Sequence, residues 1–263
     1  MRLYWELTKR SFQQQITYRA ATLAGLLTNF FFGLLRAAVL IALYNNRPEV
    51  AGMSMAGAIT YTGLAQAVIA FLSLFGWYDL INAVHTGQVG SELLKPMNFF
   101  GFWMARDLGR AVVNLVFRGL PIMLFYALFF RISLPAGLGG WLAFLVALFL
   151  GWLVSFAWRY LVNLAAFWVP NAGGIARLAF TLSWFMSGFL MPLRFFPDWF
   201  QRLCYLTPFP QAINTVIEVY LGLVQGPELL NALLGQALWA LGLILAGELV
   251  LQAGVRRLVI QGG

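Results

Sequence analysis

The sequence is poor in the residues that usually carry chemistry. Cys204 is its one cysteine and His85 its one histidine. A lone cysteine excludes an intrachain disulfide and a thiolate metal cluster. A lone histidine excludes the two-histidine helix of zinc proteases. Of 17 basic residues only Lys9 and Lys95 are lysine. Neither follows a glycine, so the glycine-rich phosphate loop that ends in Gly-Lys-Ser/Thr is absent. Ser187-Gly188 would suit a membrane serine protease only with a base nearby. His85 is expected at the far end of a different membrane span, out of hydrogen-bonding reach. Charge is scarce too, at 10% of residues, where a soluble domain carries about 25%.

Apolar residues fill the gap. They make up 61% of the 263 residues, and mean hydropathy is +0.79. No polar stretch is long enough for a separate soluble domain, so residues 1–263 read as one membrane domain. In such a chain the arginine excess marks one face of a membrane and not a nucleic-acid surface. The first apolar run is far longer than a signal-peptide core, so no cleavable leader is expected.

The expected fold is all-α, with six spans at Ala20–Tyr44, Val50–Tyr78, Ala111–Phe130, Trp141–Val169, Gly174–Leu193 and about Leu229–Val255. Arg2–Arg19 reads as an amphipathic helix at the membrane interface, with Trp5, Phe12 and Ile16 on one side. Asn45–Glu49 and Pro170–Gly174 are turns, and Asp79–Arg110 is a longer connection. Six spans place both termini on one side. Ten basic residues then lie on that side, against Arg47, Arg131, Arg194 and Arg202 on the other, which makes the terminal side cytoplasmic.

Ser183–Gly222 is the most irregular stretch. It begins as a span and then breaks at Ser187-Gly188 and Pro192. Phe196, Pro197, Pro208 and Pro210 follow, amid Asp198, Arg202 and many aromatics. Backbone that leaves helical geometry at membrane depth must be buried in protein or face water. One or two short helices dipping into the outer interface are expected, either as an anchored loop or as a gate over a transport path.

Four charges fall within spans: Arg36, Arg118, Arg159 and Glu248. Arg159 and Glu248 are placed at similar depth and are expected to pair. Arg118 is read as mid-span without an acidic partner, and Arg36 as lying in the outer part of the first span. Each is either structural or in contact with substrate.

In the middle connection, Gly87 and Gly90 release the chain from the preceding helix, Ser91 offers an N-cap, and Pro96 stops the next helix. Leu93 and Leu94 would enter an apolar groove on a partner, with Glu92 and Lys95 at its rim. A plain cytoplasmic loop is the alternative.

Together these segments resemble the permease subunit of ABC-2-type ABC transporters, within the bacterial group whose permeases come in pairs. The resemblance rests on Tyr18-Arg19 after the amphipathic segment and on Gly87–Pro96 with its Leu-Leu-Lys-Pro. It rests further on Ser187-Gly188, Met191-Pro192-Leu193, Phe196-Pro197, Pro208-Phe209-Pro210 and Tyr220-Leu221-Gly222. It implies six transmembrane helices and a second permease, identical or a sister chain. It also implies two ATP-binding subunits that hold ATP and magnesium on the cytoplasmic side, so this chain itself would bind no cofactor and catalyse nothing. Gly87–Pro96 would contain the coupling helix, and Phe195–Gly222 the outer re-entrant helices. The cargo of such exporters is hydrophobic drugs, lipids or glycans. An ion-coupled secondary transporter and a lipid-acting membrane enzyme are the competing readings. The first is weakened by the scarcity of buried acids, the second by the lack of a nucleophile–base or metal constellation.

Overall fold

The computed structural model describes residues 2–17, 19–44, 47–73, 76–169 and 171–257. Tyr18, the start of the Asn45 turn, Leu74-Phe75 in the second expected span and Pro170 lie outside the described residues.

The chain is almost entirely helical. α1 (Arg2–Thr17) and α2 (Arg19–Tyr44) precede a small hairpin of β1 (Glu49–Val50) and β2 (Met53–Ser54). α3 (Met55–Leu72) starts where the Ser54 hydroxyl accepts the Gly57 N–H at 3.1 Å, a side-chain cap for an otherwise orphan donor. Its 18 residues carry no charge and are almost wholly buried, so α3 is the helix around which the bundle packs. Two short helices follow, α4 (Asp79–His85) and α5 (Gln88–Leu93).

α6 (Phe99–Asn114), a π turn (Leu115–Gly119) and α7 (Leu120–Phe129) form one continuous rod. It begins twelve residues before the expected third span, at the Asn98 cap, whose Oδ1 accepts the Gly101 N–H at 2.7 Å. Much of the expected connection is therefore helix. Its charged residues are tolerated because α1 lies along this part of α6. The helices approach closely at Gly109, where a Cβ would collide with the Thr8 carbonyl. The π turn has a local cause. Pro121 has no N–H to donate to Phe117, and its ring crowds that carbonyl, so the backbone widens.

α8 (Gly137–Asn163) returns across the bundle, and α9 (Ala172–Met186) follows. The expected fifth span is shorter than its apolar run, because α9 ends at Met186, just before Ser187-Gly188. Its 15 residues reach about 22 Å, less than the ~30 Å hydrocarbon core. Among the described residues five helical rods are long and apolar enough to cross a membrane, and α9 is not among them. Between α9 and the final rod α13 (Gly226–Val255) lie α10 (Asp198–Tyr205), α11 (Phe209–Ala212) and α12 (Asn214–Tyr220). α11 and α12 pack into the bundle against α8, and α13 packs along the length of α8.

The lipid-facing character is visible outside the core. Leu23, Leu27 and Phe31 of α2 and Leu234, Leu238, Leu241, Leu245 and Leu249 of α13 are exposed. Such stripes are stable only in hydrocarbon, where helices hold together by close packing and by internal polar contacts.

Candidate functional site

The bundle has two distinct ends. α1, α4, α5, the start of α6 and the last turns of α8 and α13 share one. The hairpin, the α7–α8 connection and Leu193–Tyr220 share the other, as the Arg194 contacts with Ala51 and Gly52 and the Trp141–Tyr220 ring contact show.

At the first end, α5 begins at Gly87, whose φ of 74° is the left-handed conformation that glycine adopts without penalty. Gly90 has open space where a Cβ would stand. Ser91 is inside the helix, donating to the Gln88 carbonyl at 2.8 Å, and is not the expected cap. Glu92 turns inward and is 3% exposed. It accepts from Gln88 Nε2 at 3.2 Å and lies 3.8 Å from Arg106. Its Oε2 has no partner among the described residues. Burial raises its pKa above the usual carboxyl value, against the pull of Arg106 and Lys95. Leu93 packs on the core, and Lys95 rests 4.3 Å over the Phe102 ring. Leu94 is 86% exposed, and Pro96 follows it on the surface. Of the two leucines only Leu94 projects, and Glu92 is under the helix and not at a rim.

Beneath α4 and α5 lies a buried polar network. Arg159, fully buried, meets Asp107 through two parallel bonds, Nη1 to Oδ1 at 2.9 Å and Nη2 to Oδ2 at 3.0 Å. Trp152 Nε1 donates to the same carboxylate at 2.9 Å, and Arg110 also pairs with it. Arg110 approaches Asp79 of α4 at 3.8 Å. Asn163 Nδ2 donates to the Trp77 and Arg159 carbonyls, both at 2.8 Å, and its Oδ1 accepts the Ile81 N–H of α4 at 3.3 Å. The expected Arg159–Glu248 pair does not form. Once α6 starts at Phe99, Asp107 enters the bundle and takes Arg159, while Glu248 accepts from Asn98 Nδ2 at 3.3 Å. Arg118 is not at mid-bundle but beside Gly25, early in α2.

The opposite end is organised by Asn214, which is fully buried. Its N–H donates to the Ser187 carbonyl at 3.0 Å, and its Oδ1 accepts from the Leu193 N–H at 3.1 Å and from the Tyr61 hydroxyl at 2.8 Å. Its Nδ2 donates to the Tyr205 hydroxyl at 2.9 Å. Tyr61 also reaches the Gly188 carbonyl at 2.8 Å. Gly188 has φ +80°, and a Cβ there would stand 2.6 Å from the Tyr61 oxygen. Arg36 donates to the Phe189 carbonyl at 3.0 Å and lies 3.9 Å over its ring. Arg194 donates through Nε and Nη2 to Glu218 at 3.1 and 3.0 Å. Ser187, Pro192, Pro208 and Pro210 are buried, and Phe196 packs on Phe200 in front of them while Pro197 leads into α10.

The break that follows α9 is thus fixed in place by groups from α2, α3 and α12. Residues 30–262 match the model of a family described as ABC-2 family transporter protein. The chain belongs to the ABC-2 transporter family. A search of curated proteins gives no match. The family is a membrane transport component, and the multi-pass helical build of this permease agrees with it.

Sequence reasoning missed three residues of these ABC-2 permease ends. Asp107 was hidden in a segment read as connection. Tyr61 and Asn214 are neutral and draw no attention in apolar runs. The polar Gln211, Asn214 and Thr215 amid apolar neighbours are the signal that could have found Asn214, because a buried amide must be hydrogen-bonded.

Proposed function

We propose that this chain is one permease domain of an ATP-driven exporter, coupled through Gly87–Pro96 to separate ATP-binding subunits that carry ATP and magnesium. The observation that carries the reading is the contrast at α5. Leu94, at the C-cap of the short helix, is offered to solvent, while Glu92 and Leu93 within it are bound to the bundle. An exposed leucine on a rigid mount suits an apolar groove on a partner, and central apolar anchors dominate such contacts. A push on Leu94 is transmitted to α6 through Glu92–Arg106 and to α8 through Ile81–Asn163.

In this reading both termini and α5 are cytoplasmic in the cell inner membrane, and Leu193–Tyr220 faces outward. α9 together with Ser187–Leu193 makes the fifth crossing. A second permease, identical or a sister chain, completes the path, lipid surrounds it, and nucleic acid has no role. Ser187–Pro192, locked by Arg36, Tyr61 and Asn214, is the outer gate. The ion-coupled alternative is disfavoured because the buried acids among the described residues, Glu92, Asp107 and Glu218, each face an arginine. Copurification of the tagged chain from native membranes tests the proposal. An ATP-binding subunit with nucleotide hydrolysis in the eluate is expected. A pure chain that transports without such a subunit would refute it.

A further inference from the structure

A polar cleft between α2, α3 and the π turn borders the first end, with which it shares only Arg110 of the buried network named there. It is half open, with a volume of about 380 Å³, within the range of small-ligand sites, and its polar lining is Asn29, Ser73, Tyr78, Arg110 and Arg118. Arg118 rides the π turn, a distortion often found at functional positions. Its guanidinium lies against α2 at Gly25, 2.7 Å from where a Cβ would stand, so a larger residue there would displace it. Asn29, one turn further along the same face of α2, is 5% exposed, and its Nδ2 has no acceptor among the described residues. Arg118 Nε is likewise buried without an acceptor. No carboxylate among the described residues lies within 4.0 Å of Arg118, whereas Arg110 is already engaged by Asp107 and Asp79. The cleft therefore holds one unmatched positive charge and two unspent donors, which is costly in an apolar medium unless an anion enters.

Depth narrows the class of anion. Gly25 is six residues beyond the start of α2, about 9 Å along the axis. That places Arg118 near the boundary of headgroups and acyl chains in the leaflet on the α1 side, where the abundant anion is lipid phosphate. A phosphate ester has several acceptor oxygens and can take the arginine fork and an amide donor together.

We propose that this cleft binds the phosphate-ester headgroup of an amphiphile from that leaflet, with Arg118 as charge partner and Asn29 as second donor. The site does not depend on the identity of any partner subunit. The test is binding to the full chain in a neutral detergent, using phosphatidylglycerol, diacylglycerol and inorganic phosphate as probes. Saturable phosphatidylglycerol binding is expected, weakened at least tenfold by Arg118→Ala and several-fold by Asn29→Ala. Arg118→Lys should retain part of it, and Arg202→Ala, a charge removal at the other end, should leave it unchanged. Diacylglycerol should not bind, and inorganic phosphate should compete only at far higher concentration than the lipid. If folded Arg118→Ala, Arg118→Lys and Asn29→Ala bind phosphatidylglycerol as the parent chain does, or if diacylglycerol binds equally, the site is refuted. Displacement by inorganic phosphate at the lipid's own concentration would refute the amphiphile and assign free phosphate.

Discussion

Arg159 and Asp107 face one another across α8 and α6 as a two-point pair at 2.9 and 3.0 Å, with the arginine side chain wholly buried. Removing Asp107 leaves Arg159 an uncompensated buried charge, a loss of about 3–5 kcal/mol, whereas removing Arg159 leaves Asp107 still held by Arg110 and Trp152. Asp107→Asn should lower the unfolding temperature of the detergent-solubilised chain sharply, and Arg159→Met should lower it less, because Arg110 remains on Asp107. Glu248→Gln should not, since among the described residues Glu248 makes one hydrogen bond, from Asn98 at 3.3 Å, and no ion pair. A charge swap between positions 159 and 248 should rescue nothing, and thermal melts of the four variants decide it.

The Asn214 hub predicts a local effect. Asn214→Leu strands the buried Leu193 N–H and removes one partner each from the Tyr61 hydroxyl, which keeps the Gly188 carbonyl, and from the hydroxyl of the exposed Tyr205. Each buried group left unpaired costs about 1–3 kcal/mol. Gly188→Ala adds a left-handed penalty of about 1–2 kcal/mol at φ +80°, with a clash on Tyr61. Hydrogen exchange should rise over residues 187–196 in both variants and remain unchanged in α5. Uniform protection would remove the gate assignment.

Glu92 predicts a pH dependence. Burial holds its pKa above the ordinary carboxyl value. Between that value and the raised one, the folded chain keeps a proton that the unfolded chain has lost, so stability falls as pH rises through this window and then levels off. Glu92→Gln should flatten this slope and slightly stabilise the chain at neutral pH. Melting curves at several pH values check it, and an identical slope in both proteins would contradict the inward placement.

The topology is open to labelling. With buried Cys204 replaced, a cysteine at Trp199, 68% exposed, should react with an impermeant reagent in intact cells. A cysteine at Leu94 should react only after the membrane is opened. The reverse pattern would invert the assigned sides.

Five of the six expected spans and the broken stretch were legible because apolar run length and proline placement are local properties. Arg159 was correctly recognised as a buried charge, yet its partner was not, because pairing is a tertiary fact. Asp107 sits three residues from Arg110 in a stretch whose charges resemble a loop, until α1 is seen to cover that part of α6. The start signal was present all the same, in Pro96 followed by the Asn98 cap. The direction of Glu92 was equally hidden. A six-residue helix presents different residues to solvent depending on where it begins, and Gly87, not Ser91, sets that origin.

The central claim is that α5 joins this permease to an ATP-binding subunit through Leu94. Leu94 is 86% exposed and contributes little to the fold, so Leu94→Asp isolates the contact from stability. The decisive measurement is the amount of ATP-binding subunit that copurifies with the Leu94→Asp chain, alongside its membrane content and melting temperature. The account predicts at least a tenfold loss of the subunit and of transport, with insertion and melting unchanged. Normal copurification and normal transport by the variant would contradict it.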